Sequence, residues 1–417
     1  MELREAAAAL GLDAQRQEAL APGWETSMDS LPDNLPSILD LDQLTAARAF
    51  CGIGAEVDAA LRDAVAAIAA SPPLAALLWH CHRHLYQDTA VERFSEWPAA
   101  VAPLGERTGM LYLIVALAGV PLVRGKFRSL NVPEAVARDT CAAIGAWVDT
   151  HRAAHGGLPG ASNVALHWLR HYVQGRIFRL GRMEYLIQAL TDFGVVFRHK
   201  GSGRDLAFAK AGVKFNGAGF VDGAGGRFDA ERGWESSFAM DELAATGNPI
   251  SPYGMADRQP LTLSRGEWDI VLQEGDQVID MHIPAGGGMT PRACLESMTK
   301  AWEFFGAQFP EKRPKAIVCK SWIFNTQFEE WLPDSNLAKF MRELYLFPVK
   351  SSGRDGMYFV FQRDYEDLSQ APRDTSLRRC MLDILGSGQP LRAGGMFIFR
   401  EDLERFGSSF HRAHAQR

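Results

Sequence analysis

The residues best suited to chemistry concentrate in the stretch VIDMHIPAGGGMTPRACLESMTKAWEFF, positions 278–305. A strand-like run ends at Ile283-Pro284, three glycines follow, and Thr290-Pro291 opens a helical pattern. Thr is a good N-cap and Pro suits the first helical position. Glycines between a strand and a helix N-terminus let backbone N–H groups approach an anion, and the helix dipole favours negative charge there. Ile283, Gly286, Gly287, Gly288 and Thr290 are therefore candidate ligands for a pyrophosphate such as that of coenzyme A. A ligand-free turn accounts for three glycines equally well. His282, just before the loop, is a residue suited to acid–base work, because a neutral imidazole near pH 7 accepts a proton. Cys319, in KAIVCKSWI, is a thiol that becomes nucleophilic when deprotonated. Both residues also suit plain structural duty, a small buried thiol and a hydrogen-bonded ring. The run WHCHRHLY (79–86) offers His80, His82 and His84. On a helix the first and last share a face while His82 points elsewhere, and no carboxylate sits at ligand spacing, so no metal site is expected.

Two textures of sequence must position these residues. Up to about residue 180 the pattern is helical, and this stretch is expected to form an N-terminal domain, 1–180. Val57, Leu61, Val65 and Ile68 recur at helical spacing before Pro72-Pro73. After Pro133, which should occupy an early helical position, Val136, Thr140, Ile144 and Trp147 form a stripe. VALHWLRHYVQGRIFRL (164–180) reads as a further amphipathic helix. Beyond Gly181 short strand-like runs appear: MEYLIQAL, GVVFRH, LAFAKAGVKF, WDIVLQ and QVIDMHI. The stretch 217–260 reads as long loops. A helix over 291–305, the strand KAIVCKSWI, helices within 325–345, a strand MYFVFQ, a helix over 375–385 and a last strand GMFIF complete the pattern. Antiparallel strands followed by strand–helix alternation predict an α/β fold with a mixed sheet and flanking helices over 181–417.

Composition narrows the class. The chain of 417 residues is 47% apolar and 23% charged, with a net charge of −6, which argues against general nucleic-acid binding. Six cysteines lie far apart, without a CxxC pair, and read as reduced thiols of an intracellular protein. The N-terminus lacks the basic start and apolar core of a signal peptide. The most apolar run, Met110–Val123, is shorter than the roughly 20 residues of a spanning helix and contains Pro121. A cytoplasmic protein that does not bind membranes is expected.

The segments GRIFRLGRMEY (175–185), HIPAGGG (282–288), VCKSW (318–322), DSNLAKF (334–340) and DTSLRR (374–379) resemble a bacterial acyltransferase family with a helical N-terminal domain and a GNAT-like C-terminal domain. The resemblance implies an acyl-CoA donor held by the loop after the fourth strand, with no permanently bound cofactor and with an acyl carrier protein as an alternative donor. The common GNAT loop, Gln/Arg-x-x-Gly-x-Gly/Ala, is replaced here by Pro-Ala-Gly-Gly-Gly. It further implies that QVIDMHI and KAIVCKSWI are neighbouring parallel strands that splay around the thioester, bringing His282, as base for the attacking amine or hydroxyl, and Cys319, as alternative acyl carrier, near each other. Tyr345, expected at the end of a helix beginning near Asn336, is the candidate proton donor to the leaving thiolate. Ser321, Trp322, Asn325 and Asn336 are candidate substrate contacts. The implied reaction moves an acyl group from a thioester to an amine or hydroxyl of a small molecule. A Cys319–His282 thioester hydrolase or ping-pong transferase, and a non-catalytic CoA-binding module, are the alternatives.

Overall fold

The computed structural model describes the chain apart from residues 34, 36, 37, 88–93, 362–364, 416 and 417. It divides into two compact units, the first comprising Met1–Leu180 with Pro284–Gly286, the second the remainder of 181–417.

The first unit is helical. Helix α1 (Asp58–Ala69) buries Leu61, Val65 and Ile68, as their spacing requires. Pro72 does more than end that run. It is the first residue of α2 (Pro72–Tyr86), where its missing N–H costs nothing. The apolar run at 110–123 belongs to a longer helix, α3 (Gly109–Ser129), which accommodates Pro121 and buries Met110–Leu117 on every side. Among the described residues it is the one helix long and apolar enough to cross a membrane, and most of it is buried among its neighbours. Helix α4 (Glu134–Ala154) starts right after Pro133. The stretch 164–180 is not one helix. Helix α5 (His167–Val173) ends at Gly175, whose φ of 66° is left-handed, and Phe178–Leu180 is extended. Glycine tolerates that conformation without a Cβ penalty, and the N–H groups of Gly175 and Arg176 close the helix on Tyr172 and His171.

The second unit is built on strands β1 (Met183–Ala189), β2 (Val195–His199), β3 (Asp205–Phe208), β4 (Pro249–Ser251), β5 (Met255–Ala256), β6 (Trp268–Gln273), β7 (Gln277–His282), β8 (Ile317–Ser321), β9 (Tyr345–Pro348) and β10 (Gly394–Ile398). The main sheet runs β1-β7-β8-β10-β9, and an antiparallel second sheet runs β5-β4-β3-β2-β6. Only β7 and β8 in the main sheet are parallel, and α6 (Pro291–Gln308) makes the crossover between them. Val278, Val318, Tyr345, Phe347 and Phe397 of the main sheet pack against Val196, Ala207, Ile250 and Leu272 of the second. The other face of the main sheet meets α6, where Ser297 Oγ accepts the Met183 N–H at 3.1 Å and bonds Tyr185 Oη at 2.9 Å.

Three further local expectations, all in the second unit, fail. MYFVFQ is not a strand. Met357 and Phe361, four residues apart, are buried while Tyr358 and Phe359 are exposed, which is the signature of one helical turn, α8 (Met357–Phe361); Gln362 lies outside the described residues. Tyr345 does not end a helix either. Helix α7 (Asn336–Met341) stops earlier, and Tyr345 opens β9. The presumed loops of 217–260 contain β4 and β5 and the short strands Trp234–Glu235, Phe238–Met240 and Ala244–Gly247.

Candidate active site

The ladder between β7 and β8 is short. Ile279 pairs with Ile317 and Asp280 with Val318, and pairing stops there although β7 continues to His282 and β8 to Ser321. On their outer sides both strands stay paired, His282 with Glu184 of β1 and Ser321 with Gly394 of β10. The two parallel strands therefore part only from each other, leaving backbone groups along a gap at their C-terminal ends.

Strand parity decides which side chains share that gap. Side chains alternate across a strand and paired residues face the same way. Asp280 and His282 thus lie on the face of Val318 and Lys320, whereas Cys319 lies with Ile317, Ile279 and Met281 on the face toward α6. His282 and Cys319 are on opposite faces of the sheet. Cys319 is 3% exposed, and burial, reinforced by the charge of Asp280, pushes its thiol well above the ordinary range. A thiol so placed stays protonated and behaves as a small apolar residue. The expected Cys–His pairing is not formed.

His282 has a different companion. Its Nε2 is 3.4 Å from Asp280 Oδ2, and Gln188 Nε2 donates to the same oxygen at 2.6 Å. Glu184, buried, sits opposite His282 on β1. Lys320 points to the same face and donates to the carbonyls of Thr191 and Asp192 at 2.8 and 3.2 Å. Burial holds the Lys320 ammonium below its ordinary pKa, partly offset by Asp192, Asp280 and Glu274. The imidazole thus lies beside an anchored carboxylate at the C-terminal end of β7, where the chemistry calls for a general base. Asp280, Gln188, Glu184 and Lys320 were not singled out in the sequence. The signal for Asp280 was present, since Asp-x-His on a strand puts both side chains on one face.

Tyr345 is removed from the chemistry. It is 1% exposed, its hydroxyl donates to the Ile250 carbonyl and accepts the Ala207 N–H at 3.1 Å, and its ring stacks on Phe397. Burial raises its pKa further. With both hydrogen-bonding roles filled between two sheets, it is a core residue rather than a proton donor.

The remaining candidates divide. Ser321 caps the turn Trp322–Phe324 by accepting the Ile323 N–H at 3.3 Å. Trp322 packs with its ring plane 12° from that of Phe359, and a Cβ at Gly356 would come within 2.6 Å of it. Asn325 is buried and spent on Gln327, donating to its Oε1 at 2.9 Å and accepting its N–H at 3.2 Å. Asn336 is exposed at the start of α7, whose cap is Ser335. The histidines of 79–86 are structural. His80 and His84 are buried with rings 4.3 Å apart, His80 Nδ1 bonds Ser27 Oγ at 3.0 Å, and His82 stacks on Trp79. Burial first, then the neighbouring His84 and Arg83, lowers the pKa of His80 to about 3.

The loop after β7 keeps the geometry its glycines suggested. Gly286 and Gly287 have φ of 77° and 65°, both left-handed, and residues 285–288 are exposed. Arg182 Nε and its guanidinium nitrogen donate to the carbonyls of Gly288 and Gly287 at 3.2 and 3.4 Å. Thr290 caps α6, accepting the Ala293 N–H at 3.3 Å. Carbonyls tied to Arg182 leave the N–H side of the loop and of the first turn of α6 turned to other partners.

Comparison with known proteins agrees with this architecture. The sequence matches the model of a GNAT-like C-terminal domain over residues 177–397 and that of an N-acyltransferase N-terminal domain over 41–175. No curated protein matches. Three solved structures match 96% of this chain and 99% of their own: an acyltransferase with decanoyl-CoA and teicoplanin (19% identity, TM-score 0.61), a mutant acyltransferase with octanoyl-CoA (18%, 0.60) and an acyltransferase with CoA and 10C-teicoplanin (19%, 0.58). At such identity the likeness is one of fold.

Proposed function

The chain belongs to the acyltransferase family in which an N-acyltransferase N-terminal domain precedes a GNAT-like C-terminal domain, and from that premise we propose that it moves an acyl group from acyl-CoA to an amine of a small-molecule acceptor, with His282 as general base. The observation that carries this reading is the His282–Asp280–Gln188 chain at the end of a parallel strand pair whose ladder has stopped. The solved structures of the same fold hold acyl-CoA or CoA, and two of them also hold teicoplanin or 10C-teicoplanin.

In this reading the pyrophosphate of the donor rests on the N–H groups of Gly287, Gly288 and the first turn of α6, and the thioester lies in the gap between β7 and β8. The amine nitrogen attacks the thioester carbonyl carbon as its proton passes to the His282 imidazole. Backbone N–H groups along the gap hold the developing oxyanion. The carbon–sulfur bond then breaks, the proton carried by His282 goes to the CoA thiolate, and an amide and free CoA result. Asp280 orients the imidazole and stabilises the imidazolium, while Gln188 fixes Asp280. The buried, protonated Cys319 on the opposite face favours direct transfer over an acyl-enzyme.

The test combines binding with turnover. Decanoyl-CoA should raise the melting temperature, as any ligand selective for the native state does, and CoA thiol should be released only in the presence of an amine acceptor. No thermal shift with acyl-CoAs of any chain length, or accumulation of protein mass increased by the acyl group, would overturn the proposal.

A further inference from the structure

Arg392 lies two residues before β10, whose first residue Gly394 pairs with Ser321 at the end of β8. It therefore stands on the rim of the sheet where β7 and β8 part. Its guanidinium carbon is 4.0 Å from the centre of the Phe220 ring, and it is half-buried. Among the described residues it makes no hydrogen bond or ion pair, and its guanidinium rests on Phe220. Burial lowers its pKa, with no neighbouring acid acting in the other direction.

The position is firmly built. The Leu391 N–H donates to the Gly353 carbonyl at 2.9 Å and the Ala393 N–H to Ser351 Oγ at 3.0 Å, pinning the backbone on both sides of Arg392. The backbone that carries the ring beneath it is held as well, because the Phe220 N–H donates to Asn216 Oδ1 at 3.1 Å and its carbonyl accepts the Asn216 N–H at 2.9 Å. Withdrawing a guanidinium from water without a counter-charge is costly. A planar cation preorganised on an aromatic face, with its donors unused, matches a carboxylate in a bidentate pair.

We propose that Arg392, seated on Phe220, binds a carboxylate of the acyl acceptor. The inference rests on the acyl-transfer reading of the His282 site. Arg392 leads into a strand two places from β7, about 10 Å sideways, and stands at the same end of the sheet as His282. The acceptor thus carries its nucleophile and its carboxylate several bonds apart. The donor's phosphates are a poorer match, since the glycine loop and the α6 N-terminus that suit them follow β7, on the other side of β8.

The probes are a product mimic, N-octanoyl-6-aminohexanoate, and its primary amide, titrated calorimetrically without CoA into wild type, Arg392→Gln and Arg392→Lys. Wild type should bind the acid at least about tenfold more tightly than the amide. Arg392→Gln should bind the two equally, and Arg392→Lys, which keeps the charge but not the flat fork, should retain part of the preference. Equal binding of acid and amide by wild type, binding of neither, or an undiminished preference in Arg392→Gln would overturn the proposal. A separate CoA titration keeps the two readings apart. Failure of wild type to bind CoA counts against the proposed donor, whereas a tenfold loss of CoA affinity confined to the Arg392 variants would make Arg392 a phosphate ligand and reject its acceptor role.

Discussion

At the scale of single residues, the two strand faces separate residues of similar chemical promise. His282→Ala should lower kcat by roughly 10²–10⁴, the usual range for a positioned base. Cys319→Ala should leave kcat within about tenfold, because no nucleophile is lost. Steady-state kinetics with decanoyl-CoA distinguishes the two, and comparable losses in both variants would contradict the parity argument. Asp280→Asn keeps the shape beside His282 but removes the charge that orients it, so kcat should fall while the KM for the donor changes little. Tyr345→Phe removes a hydroxyl held between the Ile250 carbonyl and the Ala207 N–H. The expected cost is about 1–3 kcal/mol of stability, read from denaturant midpoints, with turnover nearly unchanged in the molecules that remain folded.

At the scale of elements, the β7–α6 connection depends on two successive left-handed glycines. A Cβ at Gly287 would sit 3.3 Å from Arg182 Nε, on a backbone with φ of 65°. Gly287→Ala should cost about 1 kcal/mol and weaken the CoA-induced thermal shift. Gly287→Val, branched at Cβ, should abolish that shift by filling the approach to the backbone. A full thermal shift in the Val variant would move the donor phosphates elsewhere. The element α8 teaches the opposite lesson about reading sequence. Its run of five apolar or aromatic residues has no alternation to distinguish strand from helix, and the choice follows from which side chains find a core.

At the scale of the whole molecule, a buried charge cluster ties the second sheet to the C-terminal segment. Arg198 donates to both oxygens of Asp205, at 2.7 and 3.1 Å, and pairs with Glu401. His411 stands between Asp205, 3.8 Å from Nδ1, and Asp402, 3.3 Å from Nε2. These carboxylates address opposite edges of one ring, and Asp205 is already occupied by Arg198, so the group suits a structural clamp better than a shared cation. For Asp402, burial pushes the pKa up, but His411, the Phe399 N–H and Arg198 together hold it below its ordinary 3.8. An acid with a depressed folded pKa contributes stability above its unfolded pKa, and that stability is lost as pH falls through the folded value. Asp402→Asn should therefore destabilise the protein by about 1.5–3 kcal/mol near pH 7, the usual worth of a hydrogen bond to a charged group such as the one Asp402 accepts from the Phe399 N–H. The gap from wild type should narrow as pH drops below about 4. Denaturant melts across pH check this, and a gap independent of pH would show that Asp402 contributes no charge effect.

The sequence by itself determined much of the local structure, because local structure follows from short-range periodicity and capping. The helical spacing of Leu61, Val65 and Ile68, the Thr290-Pro291 helix start, and the strands at 277–283 and 315–322 around their crossover helix could all be read directly. So could the family, from motifs that lie almost wholly in the C-terminal half. Only the tertiary structure decided which residues meet. His282 and Cys319 were each legible as reactive types, but their separation depends on the β7–β8 register, which a one-residue slip would reverse. Tyr345 is a good acid–base type in isolation, and it becomes a core residue only because Ile250 and Ala207, far away in the chain, take both of its hydrogen-bonding roles. Arg392 is unremarkable in the sequence for the same reason: a guanidinium's lack of a carboxylate partner is a property of its surroundings in space, which composition and spacing along the chain do not encode.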